Sequence, residues 1–465
     1  MKKILSVLVL YLFSITIISA ETVVLDIDKS VELALENNLG LKSSRIDVDI
    51  KKRASDLSWN RFIPTVQVSS TMMRWNQEQS GNILMVDPTS SLGFGLYDRV
   101  ISSSYDLPRW GLSAGLDFSL NLSYALFKEM KGTKLDYEAG LISYEIALKQ
   151  LQRDVKKNFY NILVFEENLW LMEQNIEAAN SRLEQAKINY SNGLVPELSV
   201  LSAQVGYENL KPAFSEMKLG YETMLNGFKM LLGIDLDTNI SLEGDIVINP
   251  IELDTEKLTG YFLGGRLDIK SMNKTVQSLE NAKAGLQLQT MTPMLMFGLN
   301  FDPAFQNDPL ENNWFKDIGD NWSQQSGMFR ITLAMSLDSF LPWSKTQVGI
   351  KDMEDGITQL KLGIAQANVG AEMEIKTIVM KLNKSMEQLE TLILNISLAY
   401  EAYRLSQEAY DAGSKELLEV KDAERDLNTA KLEVLKEKYN YITGLLDLEY
   451  ALNATLEEIK DVSNE

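Results

Sequence analysis

Two stretches of the chain alternate regularly between apolar residues and polar or small ones. From Trp110 to Leu126 every even position is apolar, and the odd positions between them are small or polar. A shorter stretch of the same kind runs from Phe329 to Leu337, and weaker alternation precedes each of them at residues 65–75 and 294–301. Because successive side chains of a strand point to opposite faces, the pattern predicts four strands in two hairpins, each strand with one apolar face.

These strands could form a soluble sandwich or span a membrane, and alternation alone does not separate the two. The length of the stretch that begins at Trp110 favours a membrane, because a spanning strand needs about 10 residues whereas ordinary strands have about five or six. Four strands cannot close a barrel in lipid, where open edges are not tolerated, and known membrane barrels begin at about eight strands. If these strands span a membrane, several chains must share one barrel.

Apolar residues at heptad spacing fill much of the remaining chain. Steps of seven from Leu141 to Tyr190 meet an apolar residue each time, and the companion positions of the seam are apolar except at Asn158. This spacing is typical of a coiled coil and predicts a helix over roughly residues 131–191, on the order of 90 Å long. The pattern resumes after Pro196, and Pro212 is expected to kink or unwind a turn of the second helix.

The second half of the chain repeats this arrangement. Heptad-spaced apolar residues run from Ile375 to Tyr410 and resume from Leu427 to Leu448 beyond a turn. One constant shift superimposes Tyr190 on Tyr410 and Gly193 on Gly413. Each half reads helix, strand, loop, strand, long helix, turn, helix, which favours an internal tandem repeat over a coincidence between coiled-coil sequences. The predicted boundaries are 21–245 for the first repeat and 246–465 for the second.

The first twenty residues have the organisation of a signal peptide. Lys2 and Lys3 precede an apolar stretch, and Ser19 and Ala20 supply small residues at the expected cleavage point. We therefore predict a signal peptide at residues 1–20, with an uncleaved anchor as the alternative. An exported chain of this kind would be soluble in the periplasm, secreted, or inserted in a membrane as a β-barrel.

Composition narrows the function further. The 465 residues include 45 Lys+Arg and 65 Asp+Glu, for a net charge of −20, and contain neither His nor Cys. These absences exclude His-based catalytic triads, His or Cys metal sites, disulfides and a lipidated cysteine. The acidic balance argues against a nucleic-acid partner, which would need a basic face. We expect no enzyme activity, no cofactor and no metal.

Several short motifs, weak singly, occur in an order that is specific. They are Ser30–Asn38, Asn60–Pro64, Tyr190–Leu194, Leu231–Ile234 and Tyr410–Gly413. With the strands and repeats, this series resembles the outer-membrane efflux protein family, the TolC-like channels. The resemblance implies an α+β membrane protein in which a homotrimer shares one transmembrane β-barrel, four strands per protomer, continuous with a long coiled-coil α-helical barrel. It places the strands in outer-membrane lipid and the helical domain in the periplasm.

The same resemblance implies a passive exit duct of a tripartite efflux pump or of a type I secretion system. Its partners would be a periplasmic adaptor (membrane fusion) protein and an inner-membrane pump. Residues 76–108 and 302–327 would be outward-facing loops, longer than a tight hairpin needs. The alternative is a periplasmic coiled-coil adaptor or structural protein, which would lack the long alternating strands and carry one central helical hairpin. The sequence does not identify the cargo or the pump.

Two helix-to-helix turns become candidates for adaptor contact through the resemblance. Gly193 and Leu194 in the first repeat, and Gly413 and Ser414 in the second, match the periplasmic tips where family members meet their adaptor. The plain structural alternative is that a helix reversal often needs a glycine in the left-handed conformation.

Three charged residues after the second turn match the periplasmic gate of the family. Glu419 and Asp422 lie three apart on one helical face and match the acidic constriction rings of the closed tunnel. Lys415 stands where an Arg is common, which weakens bidentate pairing, and Glu replaces Asp at position 419. A solvated charged helix face is the alternative interpretation.

Overall fold

The computed structural model describes residues 22–77, 79–86, 91–93, 96–97, 100–107, 110–306, 326–415 and 417–464. The predicted signal peptide at residues 1–20 lies outside the described residues. Two compact units can be separated by their internal contacts. A helical unit comprises the described residues within 1–50, 138–275 and 360–465, and a sheet unit those within 51–137 and 276–359.

Long α-helices dominate the described chain, and each half contributes one very long helix and one of intermediate length. Within the described residues, no helix is both long enough and apolar enough to cross a membrane. The helices are α1 (Ile27–Asn37), α2 (Leu39–Asp56), α3 (Ala125–Ser191), α4 (Glu197–Leu232), α5 (Thr255–Phe262), α6 (Leu267–Met291), α7 (Lys345–Asp411), α8 (Leu417–Leu452) and α9 (Leu456–Asn464).

The strands form one larger sheet and several two-stranded ladders. They are β1 (Val23–Leu25), β2 (Thr65–Arg74), β3 (Gln79–Val86), β4 (Ser91–Gly93), β5 (Leu96–Tyr97), β6 (Val100–Leu107), β7 (Trp110–Leu122), β8 (Ile240–Leu242), β9 (Met294–Phe301), β10 (Ala304–Gln306) and β11 (Met328–Ala334). Short 3-10 turns occupy Ser58–Phe62, Leu263–Gly265 and Asp338–Phe340.

The heptad positions of the helices form the core of the helical unit, as the sequence predicts. Val155 and Ile162 of α3 are almost inaccessible and pack in one cluster with α1, α4 and the parallel pair β1–β8. Ile375 and Leu382 of α7 pack in a second cluster with Tyr441 of α8 and with α5 and α9. Apolar residues every seven positions line one stripe of a helix, so these stripes bury against each other.

The boundaries of two predicted helical features differ from expectation. Helix α3 begins at Ala125 rather than near residue 131, because the buried Ala125 already belongs to its apolar stripe. Of the two outcomes expected at Pro212, unwinding does not occur, because α4 stays helical throughout, and the kink stays a prediction. Proline removes one backbone donor, and a helix of 36 residues with a packed apolar face tolerates that loss.

The end of α4 meets the junction between α1 and α2. Gly233 caps α4 in the left-handed conformation, with φ of 71°. The Asn38 side chain bridges this junction, because its Nδ2 donates to Leu231 O at 2.8 Å while its Oδ1 accepts from Leu41 N at 2.9 Å. A Cβ on Gly233 would lie 2.5 Å from Asn37 O, so only glycine allows this approach.

The sheet unit contains the two predicted hairpins, side by side in one antiparallel sheet. Strand β7 pairs with β2 along one edge, and with β9 and the short β10 along the other, while β11 pairs with β9. The prediction of four alternating strands in two hairpins is confirmed for β2, β7, β9 and β11.

Three details of the strand prediction are wrong. Strand β7 ends at Leu122 rather than Leu126, since Leu126 N donates to Ser123 O and starts the turn into α3. Strand β11 ends at Ala334 rather than Leu337, because the following residues enter a 3-10 turn. The segment 76–108 is not only loop, because β3 pairs with β6 over their whole lengths. In the other predicted loop, 302–327, the short strand β10 pairs with β7. Residues 307–325 of that loop lie outside the described residues.

Candidate functional site

The first helix-to-helix turn is closed by two backbone hydrogen bonds around a left-handed glycine. Gly193 has φ of 71°, its N–H donates to Tyr190 O at 2.9 Å, and Leu194 N donates to Asn189 O at 2.9 Å. This pair of bonds is the Schellman arrangement, which satisfies the last free carbonyls of a helix. A Cβ on Gly193 would have nothing within 4 Å, so the backbone conformation alone selects glycine.

The second turn repeats this geometry residue for residue. Gly413 has φ of 75° and its N–H donates to Tyr410 O at 2.9 Å. Ser414 N donates to Ala409 O at 2.9 Å, and the Ser414 hydroxyl donates to the same carbonyl at 2.9 Å. The sequence correspondence between the two turns therefore extends to their hydrogen bonds.

Exposed leucines lie next to both turns. Leu194 is 71% exposed and Leu198 73% exposed after the first turn, and Leu418 is 63% exposed after the second. Heptad reasoning from the sequence missed Leu198 and Leu418 because neither belongs to a buried stripe. A sequence signal could have found them: each is a leucine outside the heptad stripe and beside a helix reversal, where a polar residue would be expected on a surface in water.

The predicted gate residues are held by ion pairs within α8 and its preceding turn. Lys415 Nζ lies 3.0 Å from Glu419 Oε2 and donates to Ser406 Oγ at 3.5 Å. Asp422 Oδ1 lies 3.1 Å from Arg425 Nη1. The sequence reasoning missed Arg425, which the i, i+3 spacing from Asp422 could have indicated. Both carboxylates are about half exposed, so each pair is open to solvent screening.

A line of polar contacts joins α3 to α8. As the residue number rises along α3 it falls along α8, so the two helices run antiparallel in one continuous register. The pairs are Arg153 over the Tyr450 ring at 4.2 Å, Lys157 with Asp447 at 2.7 Å, Asn175 with Asn428 at 2.6 Å, and Arg182 with Glu424. The sequence reasoning predicted none of these pairs.

No metal site is present in the part of the chain that the structure describes, since no group of three or more acidic side chains is placed to hold an ion. The arrangement offers charge, helix ends and apolar surface, which suit binding.

Comparison with known proteins adds to this geometry. The family described as "Outer membrane efflux protein" matches residues 30–233. The outer membrane protein TolC of Escherichia coli is 21% identical over 390 residues, covering 79% of this chain and 75% of that protein. TolC of Vibrio cholerae is 21% identical over 376 residues, covering 76% of this chain and 79% of that protein.

The family match and both relatives support an outer membrane efflux protein of the TolC-like kind. The fold is consistent with this, because it resembles the crystal structure of the Campylobacter jejuni CmeC outer membrane channel with a TM-score of 0.69. The two share 17% identity over 94% of this chain and 89% of the other. The comparisons therefore support a place in the outer membrane.

Proposed function

We propose that three copies of this efflux protein assemble into one passive channel, the exit duct of a tripartite efflux pump or of a type I secretion system. Each copy contributes β2, β7, β9 and β11 to one shared transmembrane β-barrel, which continues into a coiled-coil α-helical barrel in the periplasm. A periplasmic adaptor and an inner-membrane pump supply the cargo.

The register of the sheet is the observation that carries this proposal. Phe118 lies between Val66 and Leu299 across the three strands, and the same face is apolar in the neighbouring rows. The further members of this face are Val68, Leu116, Leu120, Leu295, Phe297, Phe301, Phe329, Ile331 and Leu333. Leu333 is 69% exposed and Val68 77%, and so large an exposed apolar face is stable in lipid rather than in water.

The opposite face of the sheet is polar over part of its height. Asp117 lies between Gln67 and Asn300, and Asn300 Nδ2 donates to Asp117 Oδ1 at 2.5 Å. A polar face opposite a lipid face is what a water-filled lumen requires. Within the described residues, the outer edges of β2 and β11 have no strand partner. Lipid does not tolerate open edges, so further copies of the chain must supply them.

The matching halves support a tandem repeat with the boundaries 21–245 and 246–465. Helices α3 and α7 both have 67 residues, and α4 and α8 both have 36. Each long helix ends in the same Schellman turn. The repeat is a correspondence along the sequence, whereas the helical and sheet units are defined by contacts in space, and each unit draws on both halves.

We assign the adaptor-contact role of the family to residues of the two turns, and the gate role to the charged residues after the second turn. Gly193, Leu194, Gly413 and Ser414 form the tips that contact the adaptor, with the exposed leucines beside them as apolar contacts.

Glu419 and Asp422 form the constriction, and Lys415 holds Glu419 in place. Repeated around a trimer axis, these carboxylates make a ring of one charge sign, which attracts cations.

Assembly and conduction can be tested on the same purified protein. We expect the native mass of a trimer from outer membranes, and cation-selective current in a planar bilayer. A folded monomer in the soluble periplasm would contradict the channel and favour the adaptor-like alternative.

The gate is tested by the double variant Glu419→Ala/Asp422→Ala. We expect weaker cation selectivity and weaker block by divalent cations, because the negative ring is removed. The matched control is Glu387→Ala/Glu390→Ala, which removes two exposed carboxylates three apart on α7. If the gate variant conducts like wild type, the two carboxylates are ordinary solvated helix charges.

A further inference from the structure

A cavity of about 340 Å³, partly open to solvent, lies in the helical unit and is lined by residues of α3, α4 and α8. It lies close to the second turn, because Lys421 in its wall is near the start of α8, one residue before Asp422. Its volume falls within the range of about 300–1,000 Å³ that small-molecule sites occupy.

The charge of the cavity wall opposes that of the chain. Arg182, Lys421 and Arg425 line it with Glu424 as the acidic residue, although the chain carries a net charge of −20. Arg182 is paired with Glu424, and Arg425 is paired outward with Asp422. The cavity therefore keeps one positive charge that these pairs do not neutralise.

That charge belongs to Lys421. In the described part of the chain, its Nζ makes no ion pair and no hydrogen bond. Burial lowers the pKa of Lys421, the nearby Arg182 guanidinium lowers it further, and Glu424 acts in the opposite direction. A partly buried ammonium beside another cation is stabilised by an anion that enters the cavity.

Lys421 lines the cavity with its charged end close to a glycine of α4. Gly206 of α4 faces it, and a Cβ there would lie 3.1 Å from Lys421 Nζ. Ala179, Leu210 and Leu432 supply apolar wall around the charged end. A cationic end with apolar walls is complementary to an anion that carries an apolar body.

We propose that this cavity binds a small organic carboxylate. The carboxylate oxygens accept hydrogen bonds from Lys421 Nζ and from the Arg182 guanidinium, and the apolar part of the ligand packs against Ala179 and Leu210. The site stands on the cavity and its charges, and so does not depend on the transport role proposed above.

Phenylacetate and its neutral amide, phenylacetamide, are a matched pair of probes. Saturation-transfer NMR on the purified full-length protein measures the binding of each. We expect wild type to bind phenylacetate at least about tenfold more tightly than phenylacetamide, since a charge-assisted hydrogen bond contributes about that much. If both probes bind equally, the cavity is an apolar site without anion selectivity, and the proposal is overturned.

Three variants locate the binding. Lys421→Met should weaken phenylacetate binding about tenfold, because it keeps the length of the side chain and removes its charge. Gly206→Leu should abolish binding by filling the space while all the charges remain, and it provides a second test if Lys421→Met does not fold. Lys436→Met, an exposed lysine further along α8, should bind like wild type. Unchanged binding by Lys421→Met or by Gly206→Leu would contradict the proposal.

Discussion

Three glycines of the helical unit should respond to the same substitution in three different ways. Gly193 and Gly233 both have φ of 71°, whereas Gly227 lies inside α4 without positive φ. A Cβ on Gly193 or Gly227 would meet nothing within 4 Å, but a Cβ on Gly233 would meet the main chain of Asn37. Alanine at the three sites therefore separates backbone strain from steric clash.

The expected free energies follow from these surroundings. Alanine in the left-handed region costs about 1–2 kcal/mol, and the less flexible unfolded chain returns about 0.4–1 kcal/mol. Gly193→Ala should thus cost about 1 kcal/mol. Gly233→Ala bears the same strain, and its Cβ would also lie 2.5 Å from Asn37 O, which adds about 1–3 kcal/mol for a forced displacement of packed backbone. Gly227→Ala should stabilise α4 by about 0.5–1 kcal/mol.

Amide hydrogen exchange followed by mass spectrometry reports these local free energies. Since about 1.4 kcal/mol corresponds to a factor of ten, Gly193→Ala should speed exchange around its turn about fivefold. Gly233→Ala should speed exchange about a hundredfold around residues 229–234, and also across the α1–α2 junction. Gly227→Ala should slow it. If Gly193→Ala and Gly233→Ala accelerate exchange equally, contact with Asn37 is not what selects glycine at 233.

Two further predictions concern the sheet and an ion pair of the helical unit. Leu116→Lys should cost about 2–4 kcal/mol and lower the yield of heat-resistant assembly in outer membranes, whereas Ser119→Lys on the opposite face should be tolerated; equal loss would contradict the assigned faces. Asp268 accepts hydrogen bonds from Arg266 Nε at 3.1 Å and Nη2 at 2.8 Å, and this guanidinium lowers the pKa of the carboxyl. A lowered pKa gives stability that is present above the unfolded value of 3.8 and is lost as the pH falls through the folded value. Asp268→Asn should therefore lower the thermal midpoint at neutral pH and approach wild type in strong acid; a gap that does not change with pH would rule out the ionic origin.

Local periodicity predicted much of this fold. Ile375 and Leu382 lie seven apart and are both buried, because a stripe of apolar residues defines its own buried face. The faces of β7 follow from alternation in the same way. The end of β7 was less predictable, since Tyr124 and Leu126 continue the alternation beyond Leu122, the last residue of the strand.

Contacts between distant segments could not be predicted in this way. Arg182 and Glu424 are 242 positions apart, which is more than one repeat, and nothing in the sequence near either residue indicates its partner. Lys421 is likewise an ordinary lysine of a charged helix until α3 and Gly206 are seen beside it. The hairpin of β3 and β6 was missed because its strands carry little strict alternation.

The polar contacts between α3 and α8 restrict how these helices can move. Along α3 they extend from Arg153 to Arg182, about 43 Å at about 1.5 Å per residue. A slide by one helical turn, about 5.4 Å, would take all of these pairs out of reach together. Separation that starts at one end breaks the pairs singly, beginning with Arg182 and Glu424 beside the turns. These contacts therefore oppose sliding of one helix along the other, whereas the two helices can separate progressively from one end.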